Sequence, residues 1–152
     1  MTDARLVMGK LISLGMETGL FTNVNGHEPK SAPQLGDAVT LALMAGPVTT
    51  IASSGLKSAS MRWQIDGRIF FNAFSEPADD IDPAIINATM TYFQALVGNF
   101  TLGGLVRCVD IYGMDGDKLN AQPGYMEQDK KVFRTMDLMI PLLLNDQLDE
   151  VA

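Results

Sequence analysis

The stretch SASMRWQIDGRIFFNAF, residues 58–74, admits two readings that lead to different folds. Asp66-Gly67 at its centre is a strong two-residue hairpin signal, because both residues tolerate the positive φ that such turns need. A hairpin there would pair Ile65 with Arg68, Trp63 with Phe70 and Met61 with Asn72. Cross-strand partners share a face, so both faces would then mix apolar and polar side chains. Read as one continuous strand, the same residues sort cleanly. Met61, Trp63, Ile65, Gly67, Ile69, Phe71 and Ala73 fall on one face. Ser60, Arg62, Gln64, Asp66, Arg68 and Asn72 fall on the other, interrupted only by Phe70 and Phe74. Side-chain parity sets strand register, so the sequence favours a single long strand in which Gly67 marks a bulge, a bend or a close neighbour. About fifteen residues at roughly 3.3 Å each reach on the order of 50 Å. Such a strand is expected to overshoot its own fold and to pair with another subunit.

Outward from this strand, residues 2–18 predict a helix capped by Thr2, with Val7, Leu11 and Leu14 at helical spacing and Gly19 as its stop. A short extended piece at 21–24 and a turn-rich loop, NGHEPKSAPQLGD, come next. Residues 38–44 alternate as a strand, Gly46-Pro47 breaks it, VTTI resumes it briefly, and ASSGLKSAS connects flexibly to the long strand. On the far side, Asp82 and Pro83 are suited to the cap and first turn of a helix running to about Val97, with Gly98 as its stop. Ile86, Met90, Phe93 and Val97 predict its core stripe, widened by Ile85, Tyr92 and Leu96. Its other side, Asn87, Ala88, Thr91, Gln94 and Ala95, carries no charge. Exposed helix faces normally carry Lys or Glu, so this side is expected to lie deeper in the domain or under a neighbouring subunit. LVRCVDIYG reads as a strand and MDGDKLNAQPGYMEQD as a loop. KVFRTMDLMIPLLLN alternates as a last strand, placed at an edge or bulged because Pro141 lacks an amide donor. The fold class that follows is α+β: a mostly antiparallel mixed sheet with one very long strand and two helices packed on one face, formed as a single domain over 1–152.

Composition narrows the function. With 152 residues, 47% hydrophobic and 19% charged, the chain can bury a core without staples. Its start shows no secretory signal. The uncharged stretch 83–106 is too interrupted by Asn, Gln and Gly for a membrane span. A lone Cys108 excludes an internal disulfide and suits a reducing compartment, which leaves the sequons at Asn87 and Asn99 without meaning. The net charge of −7 and scattered basic residues argue against binding a nucleic-acid backbone. Ten methionines suit a soft core or an adaptable surface.

Chemistry-bearing motifs are few. His27 and Cys108 are the only histidine and cysteine, too little for a zinc site and a weak basis for a nucleophile pair. The run from Asp115 resembles a calcium loop only faintly, since Asn120 and Met126 stand where glycine and a bidentate acid belong. The acids of EPADDID read as a solvated cluster at a helix start. No catalytic, cofactor or metal residues are assigned.

The ordered segments HEPKSAP, ASSGLKSAS, RIFFNAFSEPADDIDP, FTLGGLVRCVDIYGMDG and AQPGYMEQDKKVFR…MIPLLLND resemble those of tail terminator proteins from long non-contractile-tailed phages, particularly of actinobacterial hosts. The likeness spans roughly residues 25–146. It implies a structural virion protein, assembled in the host cytoplasm and similar to lambda-type terminators. Such a protein is a non-enzymatic subunit of a homo-oligomeric, hexameric ring without cofactor or membrane. The ring would cap the major tail tube protein, stop its polymerisation and join a head–tail connector protein, while DNA passes through its lumen. Within that role, Arg62, Gln64, Asp66 and Arg68 on the polar side of the long strand, and Asn87, Thr91 and Gln94 on the uncharged helix back, are the expected contact residues. The alternatives are another neck or tail-completion ring protein, or a small α+β ligand-binding domain or enzyme.

Overall fold

The computed structural model describes residues 1–29, 39–52 and 57–150. It has the expected α+β fold, two helices on a mostly antiparallel six-stranded sheet. In chain order the elements are α1 (Ala4–Glu17), β1 (Asn23–Asn25), β2 (Thr40–Ile51), β3 (Ser58–Asn72), α2 (Ile81–Gly98), β4 (Cys108–Val109), β5 (Asn120–Gln128) and β6 (Lys131–Asp149). Most of the turn-rich loop near 25–37 and of the connection before β3 lies outside the described residues.

β3 is one strand straight through Asp66-Gly67, as parity required. Gly67 is paired on both sides, to Leu43 of β2 and to Leu138 of β6. The nearest register shifts fall elsewhere, between Ala45 and Val48 and between Ala59 and Met61. The glycine is required by its neighbours: a Cβ there would lie 3.2 Å from Leu138 Cβ and 3.3 Å from Leu43 Cδ2. The expectation that β3 overshoots its own fold is not met. β2 matches it from Ser60 to Phe70 and β6 from Ser58 to Asn72, so both edges are satisfied within the chain.

The sheet order is β1-β2-β3-β6-β4, with β5 also on β6. One edge of β6 meets β3 along nearly its whole length. Its other edge is shared by β5 (partners 131–139) and β4 (partners 142–143). Pro141 sits in the gap between these two, inside the sheet rather than at the edge or in the bulge expected for it. Its carbonyl accepts from the Asp110 N–H at 2.8 Å. A strand residue's amide and carbonyl point to the same side, so the missing donor falls at the gap and costs no bond to β3. Gly46-Pro47 likewise does not end β2, which absorbs them as a one-residue bulge.

A further strand, β5, occupies most of the segment expected as a loop, whereas the strand expected at 105–113 shrinks to two residues. The two-residue hairpin missing at Asp66-Gly67 occurs instead at Asp129-Lys130, between Gln128 and Lys131, with φ of 52° and 62°. Both values are positive, the twist that such hairpins prefer.

α1 begins after Asp3, whose carboxylate accepts from Arg5 N–H, so Asp3 rather than Thr2 is the cap. Thr2 instead donates its N–H to Gln147 Oε1 at 2.6 Å. α2 starts at Ile81, ahead of the expected Asp82 cap. Asp82 is engaged by Arg134 at 2.9 Å, and the Arg134 guanidinium also lies 4.4 Å from the centre of the Tyr125 ring. That cluster ties the β5–β6 hairpin to the start of α2.

The core lies between helices and sheet. Val7, Leu11 and Leu14 of α1 and Ile81, Ile85, Ala88, Tyr92 and Leu96 of α2 cover Leu41, Leu43, Ile65, Ile69, Leu138, Ile140 and Leu142. Buried Tyr92 donates its hydroxyl to the Leu11 carbonyl at 3.0 Å, joining the two helices. Phe70, the residue that spoils the polar parity of β3, packs edge-on against Phe133 in a small second cluster on the opposite face.

Candidate functional site

Three surfaces bear on function, and two of them carry contact residues expected from the sequence. The first is the polar side of β3. Gln64 donates to Asp66 Oδ1 at 2.8 Å, and Arg68 Nε pairs with Asp137 directly opposite on β6 at 2.6 Å. With Asn120, Gln122 and the methionines 44 and 139 they line a shallow depression of about 310 Å³. Its floor is the backbone at Gly67, and with Arg68 paired to Asp137 the charge of Asp66 is left over.

Arg62 does not share this exposed face. Loop 110–119 folds over it, and the side chain is buried against Asp110, itself 0% exposed, with Nη1 to Oδ2 at 2.9 Å. Nη2 donates to the Asp117 carbonyl at 2.6 Å. The carboxylate of Asp110 also accepts from the amides of Met114 (2.8 Å) and Asp115 (3.1 Å). Gly116, at φ 150°, lies so near the guanidinium that a Cβ would stand 2.7 Å from Cζ. Arg62 therefore clamps a loop and is withdrawn from the contact role expected of it. The same bonds account for DGD: the Asp117 carbonyl serves Arg62, and among the described residues no three His, Cys, Asp or Glu side chains come together.

The second surface is the outer side of α2, where the expected core stripe is corrected. Ile86, Met90 and Val97 are 48%, 64% and 41% exposed, whereas Ala88, assigned to the open side, is fully buried. The helix is turned by about one residue, 100°, so that Ile85, Thr89, Tyr92 and Leu96 face the sheet. Asn87, Thr91 and Gln94 do lie on the open side, and with Met90 they line a shallow hollow. Between Asp82 and Gly98 this face carries no charge.

The third surface holds none of the expected contact residues; of the residues weighed in the sequence only Cys108 lies there. Phe100, Arg107, Ile111, Tyr112 and Met114 surround Cys108 in an apolar groove of about 420 Å³. Phe100 is fixed to it by its carbonyl, which accepts from Val109 N–H at 2.6 Å. Burial pushes the Cys108 thiol up from its ordinary value, against the lowering effect of the Arg107 charge and with a smaller push from Asp110 and Asp115. His27 lies in an exposed loop away from this groove, so it and Cys108 form no pair. The signal that could have revealed the apolar outer row of α2 is excess: the helix carries two adjacent apolar rows, more than one sheet face can cover. The groove has no such signal in the sequence.

Among the described residues no helix is long and apolar enough to cross a membrane. No protein-family model matches the chain, and no curated protein matches it in sequence.

Proposed function

We propose that the protein is a phage tail terminator, a structural subunit that acts by assembling into a ring on the end of the tail tube. The observation that carries this reading is the outer face of α2. A helix of 18 residues with a single charged side chain, Asp82, presents Ile86, Met90 and Val97 to solvent. Exposed apolar rows of this kind mark surfaces that another protein covers. The ordered sequence resemblance described above supplies the partner class. Six-fold closure, the tube subunit below, the connector above and the passage of DNA are parts of the same proposal. The mechanism is steric: one ring face matches the last ring of tube subunits, and the other face differs and admits no more of them. The net charge of −7 suits a passage that must let DNA slide without holding it.

The test mixes purified protein with isolated tail tubes and follows it by co-sedimentation and electron microscopy. Density at one tube end, lost in Met90→Glu while circular dichroism stays unchanged, is the expected result. Absence of binding, or decoration along the tube walls, overturns the reading.

A further inference from the structure

The groove around Cys108 is apolar and its wall is held in place. Tyr112 and Met114 stand 87% and 67% exposed on loop 110–119, which the buried Arg62–Asp110 pair fixes. Aromatic, methionine and arginine side chains are those enriched in interface cores, and a loop ordered in advance loses little entropy on binding. Arg107 is the lining charge left to act on a ligand, because Asp110 is already committed to Arg62 and two amides. The occupant should therefore combine an apolar anchor with nearby acids.

The chain itself displays such a segment. Phe74, just beyond β3, is 74% exposed and is followed by exposed Glu76, Asp79 and Asp80. It cannot fill its own groove. β4 lies opposite Leu142 and Leu143, which pair with Trp63 and Arg62, so the groove and Phe74 flank opposite ends of β3. Ten residues of strand from Arg62 to Asn72 separate them by on the order of 33 Å.

We propose that Phe74 of one copy seats in the groove formed by Phe100, Tyr112 and Met114 of the next, with Arg107 meeting its acidic flank. A plug and a socket at opposite ends of one subunit give a head-to-tail contact, which closes into a ring when the rotation allows. This inference rests on the ring-assembly reading and names the surfaces that join its subunits.

Sedimentation velocity of the full chain, up to about 1 mM so that weak association is seen, tests it with two variants, Phe74→Asp and Tyr112→Asp. The wild type should form a closed oligomer, and each variant should associate at least about 30-fold more weakly, as expected for a central anchor. Mixed in equal amounts, the two should form dimers and nothing larger, because only one intact plug and one intact socket remain. Dimer formation also proves that both variants are folded. A wild type that assembles while Phe74→Asp assembles equally well overturns the contact and leaves the ring reading standing. Folded variants that give no dimer on mixing overturn it too. A wild type that stays monomeric throughout also removes the contact, and the ring reading then falls separately only if tube ends are not bound.

Discussion

Replacing Asp110 with alanine strands the Arg62 guanidinium in a buried site and takes the acceptor from the amides of Met114 and Asp115. Removing one partner of a buried pair costs about 3–5 kcal/mol, because an uncompensated charge is left behind. That is a large share of the roughly 5–15 kcal/mol by which domains are stable. At a urea dependence of about 2 kcal/mol per molar, the unfolding midpoint should fall by about 1.5–2.5 M. Asp137→Ala is the control. It removes the partner of Arg68 from a pair whose side chains are 28% and 50% exposed, and should cost less than about 1 kcal/mol. The double change Arg62→Met with Asp110→Ala should recover at least about 1 kcal/mol over Asp110→Ala alone, since no cation is then stranded. Equal midpoint shifts at 110 and 137, or a double variant weaker than the single, would refute the clamp.

At Gly67, alanine should destabilise by about 1–2 kcal/mol despite its better strand propensity. Leu138 Cβ is anchored to its backbone and cannot swing aside; a raised melting temperature would contradict the close approach. Tyr92 is held above its ordinary value of 10.0 by burial. The folded protein then keeps a proton that the unfolded chain releases, so stability should decline as pH rises beyond about 10. Tyr92→Phe should remove this contribution while costing about 1 kcal/mol at neutral pH for the lost bond to Leu11; denaturant titrations at pH 7 and pH 10.5 check both. Cys108 should react with iodoacetamide more slowly than an unhindered thiol at the same pH, because burial disfavours the thiolate. Equal rates, followed by mass spectrometry, would contradict that.

The long strand was legible because parity survives any local turn signal: seven alternating positions outweigh one Asp-Gly. The helices were legible from their periodicity and from Gly19 and Gly98, though their first turns were displaced by competing uses of Asp3 and Asp82. The buried side of α2 was legible only in part: Ile85, Tyr92 and Leu96, expected to widen the core stripe, are buried, but the centre of the stripe lies one residue earlier than the sequence suggests. Rows 85/89/92/96 and 86/90/93/97 have the same spacing, and only the docked sheet chooses between them. β5 was hidden by Pro123, Gly124 and a polar composition that suits an edge strand. The burial of Arg62 was beyond pattern reading, since its partner lies 48 positions away and a loop, not a regular element, covers it. Of the expected contact residues, Gln64, Asp66, Arg68, Asn87, Thr91 and Gln94 lie on accessible faces. The groove at Cys108 arises only when β4 is laid against β6.

The two middle strands of the sheet, β3 and β6, are joined by nothing local: Ser58 meets Asp149 and Asn72 meets Phe133. Their pairing waits until residues 131–149 have left the ribosome, and separations of that size make folding slow. Until then β3 offers its free edge to any passing strand. A cell that makes this chain in quantity therefore runs its greatest risk of mispairing during translation, before the finished sheet exists.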